Sequence, residues 1–135
     1  MRSFRYRSID DVKLYGCEIE TATPLAASFA TGKRIDVENV TPGFVEGIGY
    51  ANIRPWIWDL ASRLLDGSIV VGLRETANAV RILAERNHVI AEGAGAVPVA
   101  AALSGRAGKG KIACIVSGGN IDTAKLTKIL QGKVP

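Results

Sequence analysis

Apolar positions along this chain switch between a period of two and a helical period, and the switching predicts strands and helices in turn. Val12 to Cys17 (VKLYGC) is short, apolar and β-prone, which predicts a buried strand. Thr21 to Ala30 follows as a helix, with Thr21 or Thr23 to cap it, Pro24 in its first turn and Gly32 to end it. Residues 33–52, rich in glycine and carrying Pro42, read as a loop. Pro55 to Leu65 has helical spacing, Asp66 and Gly67 break it, and Ser68 to Val71 is a second strand. Arg74 to Asn87 is the plainest helix: Ala77, Val80, Ile82, Leu83 and Ala84 leave a polar back containing Arg81 and Glu85. Ala91 to Ser104 is a further helix and Lys111 to Val116 (KIACIV) a third buried strand. After the turn Ser117-Gly118-Gly119-Asn120, Asp122 to Leu130 closes the chain as a helix.

Strands alternating with helices argue for an α/β fold in three layers, helices flanking a mainly parallel sheet. In such sheets ligands sit beyond the carboxyl ends of the strands. That directs attention to residues 18–21, to Gly72 and above all to residues 117–120. A length of 135 residues suits one domain, with residues 1–11 as a variable leading segment and 12–131 as the patterned body. The balance of 17 basic and 13 acidic residues, net +4, is modest and scattered, so nucleic-acid binding is not expected; the arginines at 2, 5 and 7 interleave with aromatics over too short a stretch to change that. Two cysteines without a CxxC motif exclude a disulfide scaffold and a structural zinc site. The longest charge-free apolar stretch, Gly93 to Gly105, is far short of the roughly 20 residues of a membrane span. The start has arginines with no apolar run behind them, unlike a secretory signal, and the cytoplasm is the expected compartment.

Two short motifs carry chemistry. In Ser117-Gly118-Gly119-Asn120 the glycines let backbone approach a ligand closely, and free amides at a helix start attract an anion or a polar ring atom. The same four residues also make a plain strand-to-helix turn, with Ser and Asn as caps. Glu92 opens Glu92-Gly93-Ala94-Gly95-Ala96, whose small residues permit close packing of backbone or cofactor. A glutamate in a first helical turn equally gains about 0.3–1 kcal/mol from the helix dipole alone. Elsewhere the residues read as structural. Gly105 to Lys111 imitates a P-loop, but Ile112 stands where a Ser/Thr is needed and a strand is expected next. Cys17 and Cys114 read as small core residues, and His88 as a helix-end residue. Trp56 and Trp58, two apart, cannot share one helix face, so one belongs to the core and the other to an interface or boundary.

Taken together, EGAGAVPVAAALSG, a short gap and KIACIVSGGNID resemble the carboxyl part of the threonine/serine dehydratases. These are pyridoxal-phosphate (PLP) enzymes of the tryptophan-synthase-β type, fold type II. DVKLYGCE resembles the strand after that family's glycine-rich phosphate loop, FVEGIGY its Asp-Gly segment and LLDGSIVV its next strand. The resemblance runs from about Asp11 to Leu130. It implies that Ser117 hydrogen-bonds the pyridine nitrogen, Gly118 lines the same wall, Gly47 lies against a face of the ring and Glu92 approaches its edge. A neutral serine cannot hold the ring nitrogen protonated by charge pairing, so the ring is a weaker electron sink. That suits β-elimination, where a leaving hydroxyl takes the electrons, better than transamination. Some relatives bind a cation through a glutamate, a backbone carbonyl and an aspartate; Glu18 and Ala22 match the first two, and Pro24 stands in the third place.

The family's Schiff-base lysine in a Ser-Phe-Lys-type motif, its Ser-Gly-Asn-His substrate loop and its phosphate loop are all missing from this sequence. In relatives they precede the segment matching Asp11. The expectation is therefore a dehydratase-like chain, truncated and incomplete as a stand-alone enzyme, that works with a complementing amino-terminal half on L-threonine or L-serine. The alternatives are a non-catalytic oligomerising module that kept the fold, or a fragment without its own function. Loss of the upstream half should expose apolar surface and a sheet edge, which predicts a homo-oligomer or a partner chain.

Overall fold

The computed structural model describes residues 12–135; the leading segment expected over 1–11, with its arginines, lies outside the described residues. Strands β1 (Tyr15–Ile19) and β2 (Gly67–Val71) pair in parallel, Tyr15 opposite Gly67 and Ile19 opposite Val71. Helix α1 (Pro24–Thr31) follows β1, and α2 (Pro55–Leu64) precedes β2. Helices α3 (Leu73–Asn87), α4 (Gly93–Leu103) and α5 (Thr123–Leu130) complete the chain, with a short 3-10 turn over Glu46–Ile48. Every predicted helix is present within a few residues of its expected ends.

Alternation along β1 creates the layers. Gly16 and Glu18 face α1: a Cβ on Gly16 would collide with Leu25, and the Glu18 carboxylate bonds the α1 amides. Cys17 lies on the other side with Cys114, whose thiol donates to the Pro98 carbonyl of α4 at 3.4 Å. Helices thus cover both faces of the strand pair, the three-layer α/β arrangement expected from the sequence. The core joins Ile19, Ile69 and Val71 of the strands to Ala77, Val80 and Leu83 of α3 and to Ala96, Val97 and Ala100 of α4. Burial pushes the Cys17 and Cys114 thiols up from their ordinary value. Both are half-buried: Cys17 packs against the core, and Cys114 lies outside it, so only Cys17 meets the expectation of a small core residue.

Two strands differ from the pattern. β1 sits later than the expected Val12–Cys17: the Leu14 N–H donates to the Asp66 carboxylate and the Asp66 N–H to the Leu14 carbonyl, outside the ladder, while Val12 and Leu14 stay exposed. The third strand expected over Lys111–Val116 does not form. Among the described residues it has no ladder partner, and Ile115 is 78% exposed. An apolar β-prone run specifies a strand only where a neighbour offers free N–H and C=O groups. The turn at 117–120 also does not open a helix directly: α5 starts at Thr123, where Asp122 accepts from the Ala124 N–H at 2.8 Å. Trp58 packs edge-on against Phe29 of α1 at 5.4 Å, and Trp56 is 63% exposed.

The carboxyl ends of β1 and β2 are occupied by helix capping. The Leu73 N–H donates to Glu20 at 3.0 Å, and the Gly72 N–H to Glu75 at 2.7 Å. Glu75 also pairs with Arg106 at 2.7 Å. The Gly72 bond above all, and Arg106 next, outweigh desolvation and hold the Glu75 carboxyl below its ordinary value of 4.5. A lowered folded-state pKa stabilises the fold above the unfolded value and loses that contribution as pH falls through the lowered one. Urea midpoints should therefore drop from pH 7 to pH 3 more steeply in the wild type than in Glu75→Gln; identical slopes would remove Glu75 from this role.

Candidate functional site

Three segments meet at the amino-terminal end of α4. Glu92 is its N-cap, and the Glu92 N–H donates to the Gly118 carbonyl at 2.9 Å. That bond ties the 117–120 turn to the start of the helix. The approach is close enough to require glycine on both sides. A Cβ on Gly95 would stand 2.8 Å from the Gly118 oxygen and 2.9 Å from its nitrogen. A Cβ on Gly119 would stand 2.7 Å from the Ile90 oxygen, and one on Gly118 would run into the Glu92 carboxylate. From the other side comes the loop before α2: a Cβ on Gly47 would lie 3.0 Å from the Ala94 Cβ, and Gly93 abuts Phe44 and Val45.

The structure thus brings Gly47, Glu92, Ser117 and Gly118 around the first turn of α4, although they are 71 positions apart in sequence at the extremes (118 − 47). Ser117 is exposed, and among the described residues its hydroxyl makes no hydrogen bond. Glu92 is half-buried, and among the described residues its carboxylate likewise makes no hydrogen bond. A cleft of about 310 Å³ beside this wall is lined by Phe44, Glu46, Glu92, Ala94, Asn120 and Lys125, among others. Lys125 donates to Glu46 at 2.6 Å across it. That bond, with the Glu46 charge, pushes the Lys125 ammonium up from its ordinary value.

Sequence reading gave roles to Gly47, Glu92, Ser117 and Gly118, included Gly95 and Gly119 only as members of the two small-residue motifs, and passed over the Glu46–Lys125 pair. The signal for Gly95 was present in the spacing of small residues over 93–96; the ion pair has none, because loop and helix meet only in the fold. Glu18 and Ala22 lie elsewhere, at the end of β1. Both oxygens of the buried Glu18 are in use, accepting from the N–H groups of Leu25 (2.6 Å) and Ala26 (2.8 Å) and from the Ser68 hydroxyl (2.8 Å). Ala22 closes a bridge with Ile19. No group of three or more potential metal-ligating side chains gathers among the described residues.

The donor set suits one side of a pyridine ring: a free neutral hydroxyl, a flat glycine wall and a carboxylate at the edge. Groups for a cofactor phosphate or for covalent attachment are not part of it. No helix among the described residues is long and apolar enough to cross a membrane.

Residues 1–118 match the family described as pyridoxal-phosphate dependent enzyme. The chain is 36% identical over 122 residues to the L-threonine ammonia-lyase of Thermotoga maritima, covering 90% of this chain and 30% of that protein. It is 31% identical to the catabolic L-threonine dehydratase TdcB of Escherichia coli, covering 87% of this chain and 37% of that one. Its fold superposes on the processed form of threonine deaminase isoform 2 from Solanum lycopersicum with a TM-score of 0.81 at 26% identity, over 92% of this chain and 37% of that structure. The chain therefore spans about a third of the length of these relatives. With the family matched over nearly its whole length and the glycine wall in place, the chain belongs to the pyridoxal-phosphate-dependent enzymes.

Proposed function

We propose that this chain supplies the ring-nitrogen side of a PLP site in an L-threonine or L-serine dehydratase. The observation that carries the reading is the convergence of Glu92, Gly95 and Gly118, which leaves the Ser117 hydroxyl free beside a flat backbone wall. PLP, when bound, withdraws electrons from the α-carbon of an amino acid and so allows loss of its hydroxyl and ammonia. Ser117 would donate its hydroxyl proton to the pyridine nitrogen as a hydrogen bond. A neutral donor orients the ring without fixing a full positive charge on it. Gly118 and Gly95 keep the wall flat, Gly47 bounds the site next to Ala94, and Glu92 sets a negative charge at its edge.

The lysine and phosphate loop would come from the family's amino-terminal half, whether joined to this chain or separate. The exposed Ile112, Ile115 and Val116 lie in an apolar, β-prone segment that could pair with a strand of such a half. Substrate grip would lie mainly in that half, so the choice between threonine and serine rests there. The compartment proposed for this activity is the cytoplasm.

Titration calorimetry with PLP tests the reading. The purified chain should bind it saturably, and Ser117→Ala should weaken binding about tenfold, as loss of one hydrogen bond to a buried ring atom does. Equal affinity in the two proteins would sink the assignment of Ser117. The purified chain with added PLP should give no 2-oxo acid from L-threonine; clear turnover would show that it is a complete dehydratase.

A further inference from the structure

A second concavity lies where the last turn of α5 packs against α3. It measures about 500 Å³, and Arg74, Glu75, Ala77, Arg81, Ile129 and Lys133 are among the residues that line it. Arg74, Asn78 and Arg81 stand at i, i+4 and i+7 on one face of α3. Among the described residues none of Arg74, Arg81 and Lys133 is in an ion pair. Arg81 donates instead to the neutral Asn78 amide oxygen at 3.2 Å, which steadies its guanidinium and leaves its charge uncompensated. The one lining carboxylate, Glu75, is engaged by Arg106 and the Gly72 N–H. Glu85, a turn beyond Arg81 on α3, does not line the groove.

Lys133 is held by a helix-ending turn. Gly132 takes φ 78°, its N–H donates to the Ile129 carbonyl at 2.9 Å, and the Lys133 N–H donates to Lys128 at 3.0 Å. The floor is apolar, built from buried Ala77 and Ile129 with Val134 at the edge. Three unpaired cations over an apolar floor, two of them guanidiniums, match an oxyanion carried on an apolar body.

We propose that this groove binds a small phosphomonoester with a planar or apolar body, at a site separate from the Ser117 wall. The proposal goes beyond the PLP reading and does not depend on it. It bears on that reading's test, because PLP is itself a planar phosphomonoester and could report from the wrong place.

The probe is phenyl phosphate, titrated into the ¹⁵N-labelled chain and followed by amide chemical shifts. Saturable shifts should cluster on Arg74, Asn78, Arg81 and residues 129–134, and inorganic phosphate should move the same amides more weakly. The double substitution Arg74→Gln/Arg81→Gln should weaken binding about tenfold or more, with amide dispersion retained. Lys133→Gln, at a solvent-exposed position, should weaken it less and guards against a folding defect in the double variant. Absence of saturable shifts, equal affinity in the variants, or shifts confined to Glu92 and Gly118 would each overturn the proposal.

Discussion

Gly95→Ala should destabilise the chain by about 1–3 kcal/mol, the usual cost of forcing a methyl into a packed site, and should abolish its affinity for PLP. The new Cβ would meet the Gly118 oxygen and nitrogen at 2.8 and 2.9 Å. Both are backbone atoms, so relief requires the whole 117–119 turn to leave α4. The bond from the Glu92 N–H to the Gly118 carbonyl would go with it. Gly118→Ala gives the instructive contrast. Its Cβ meets only the end of the Glu92 side chain, which can swing aside. Stability should then change little while the carboxylate leaves its place beside the 117–119 turn. Urea denaturation of both variants, beside PLP calorimetry, reads the two effects separately. A Gly95→Ala protein as stable as Gly118→Ala would mean that the turn and the helix are not held together as described.

Glu18→Ala should cost about 3 kcal/mol, within the range for losing charge-assisted bonds at a helix start. Its two oxygens serve the Leu25 and Ala26 amides, the free donors at the start of α1, and the Ser68 hydroxyl of β2. No side chain of α1 does this work; Thr23, at the N-cap position, makes no capping bond. Glu18→Gln should cost about half as much, since one oxygen remains an acceptor while the other position becomes a donor facing donors. Thermal unfolding of the two variants measures both. A chelator added to the wild type tests the cation role implied by the resemblance to the dehydratases: a fall in melting temperature would mean that Glu18 also carries an ion.

These two residues mark how far the sequence could be read. Glu18 follows an apolar run and looks like the end of a strand, so the expected strand stopped at Cys17. In the fold it is the fourth residue of β1, and its burial is tolerated because three donors converge on it. The donors come from positions up to 50 residues away, and no local pattern records them.

The helices were legible because their signals are local. Proline at the first position of α1 and α2, Gly32 in the left-handed conformation after α1 and the apolar stripe of α3 depend on neighbours within a turn or two. The EGAGA and SGGN motifs were legible for a related reason: close backbone approach needs glycine, and glycine is visible in a sequence. Strand 111–116 was misread because strand formation depends on a partner. Its composition is right, but among the described residues nothing pairs with it. The sequence by itself determined the helices and the α/β layering, since each follows from residue type and short spacing. Only the tertiary structure decided that Glu18 caps α1, that Glu46 reaches Lys125 and that Arg74, Arg81 and Lys133 share one groove. Those are distances between segments far apart in the chain, set by how the layers pack.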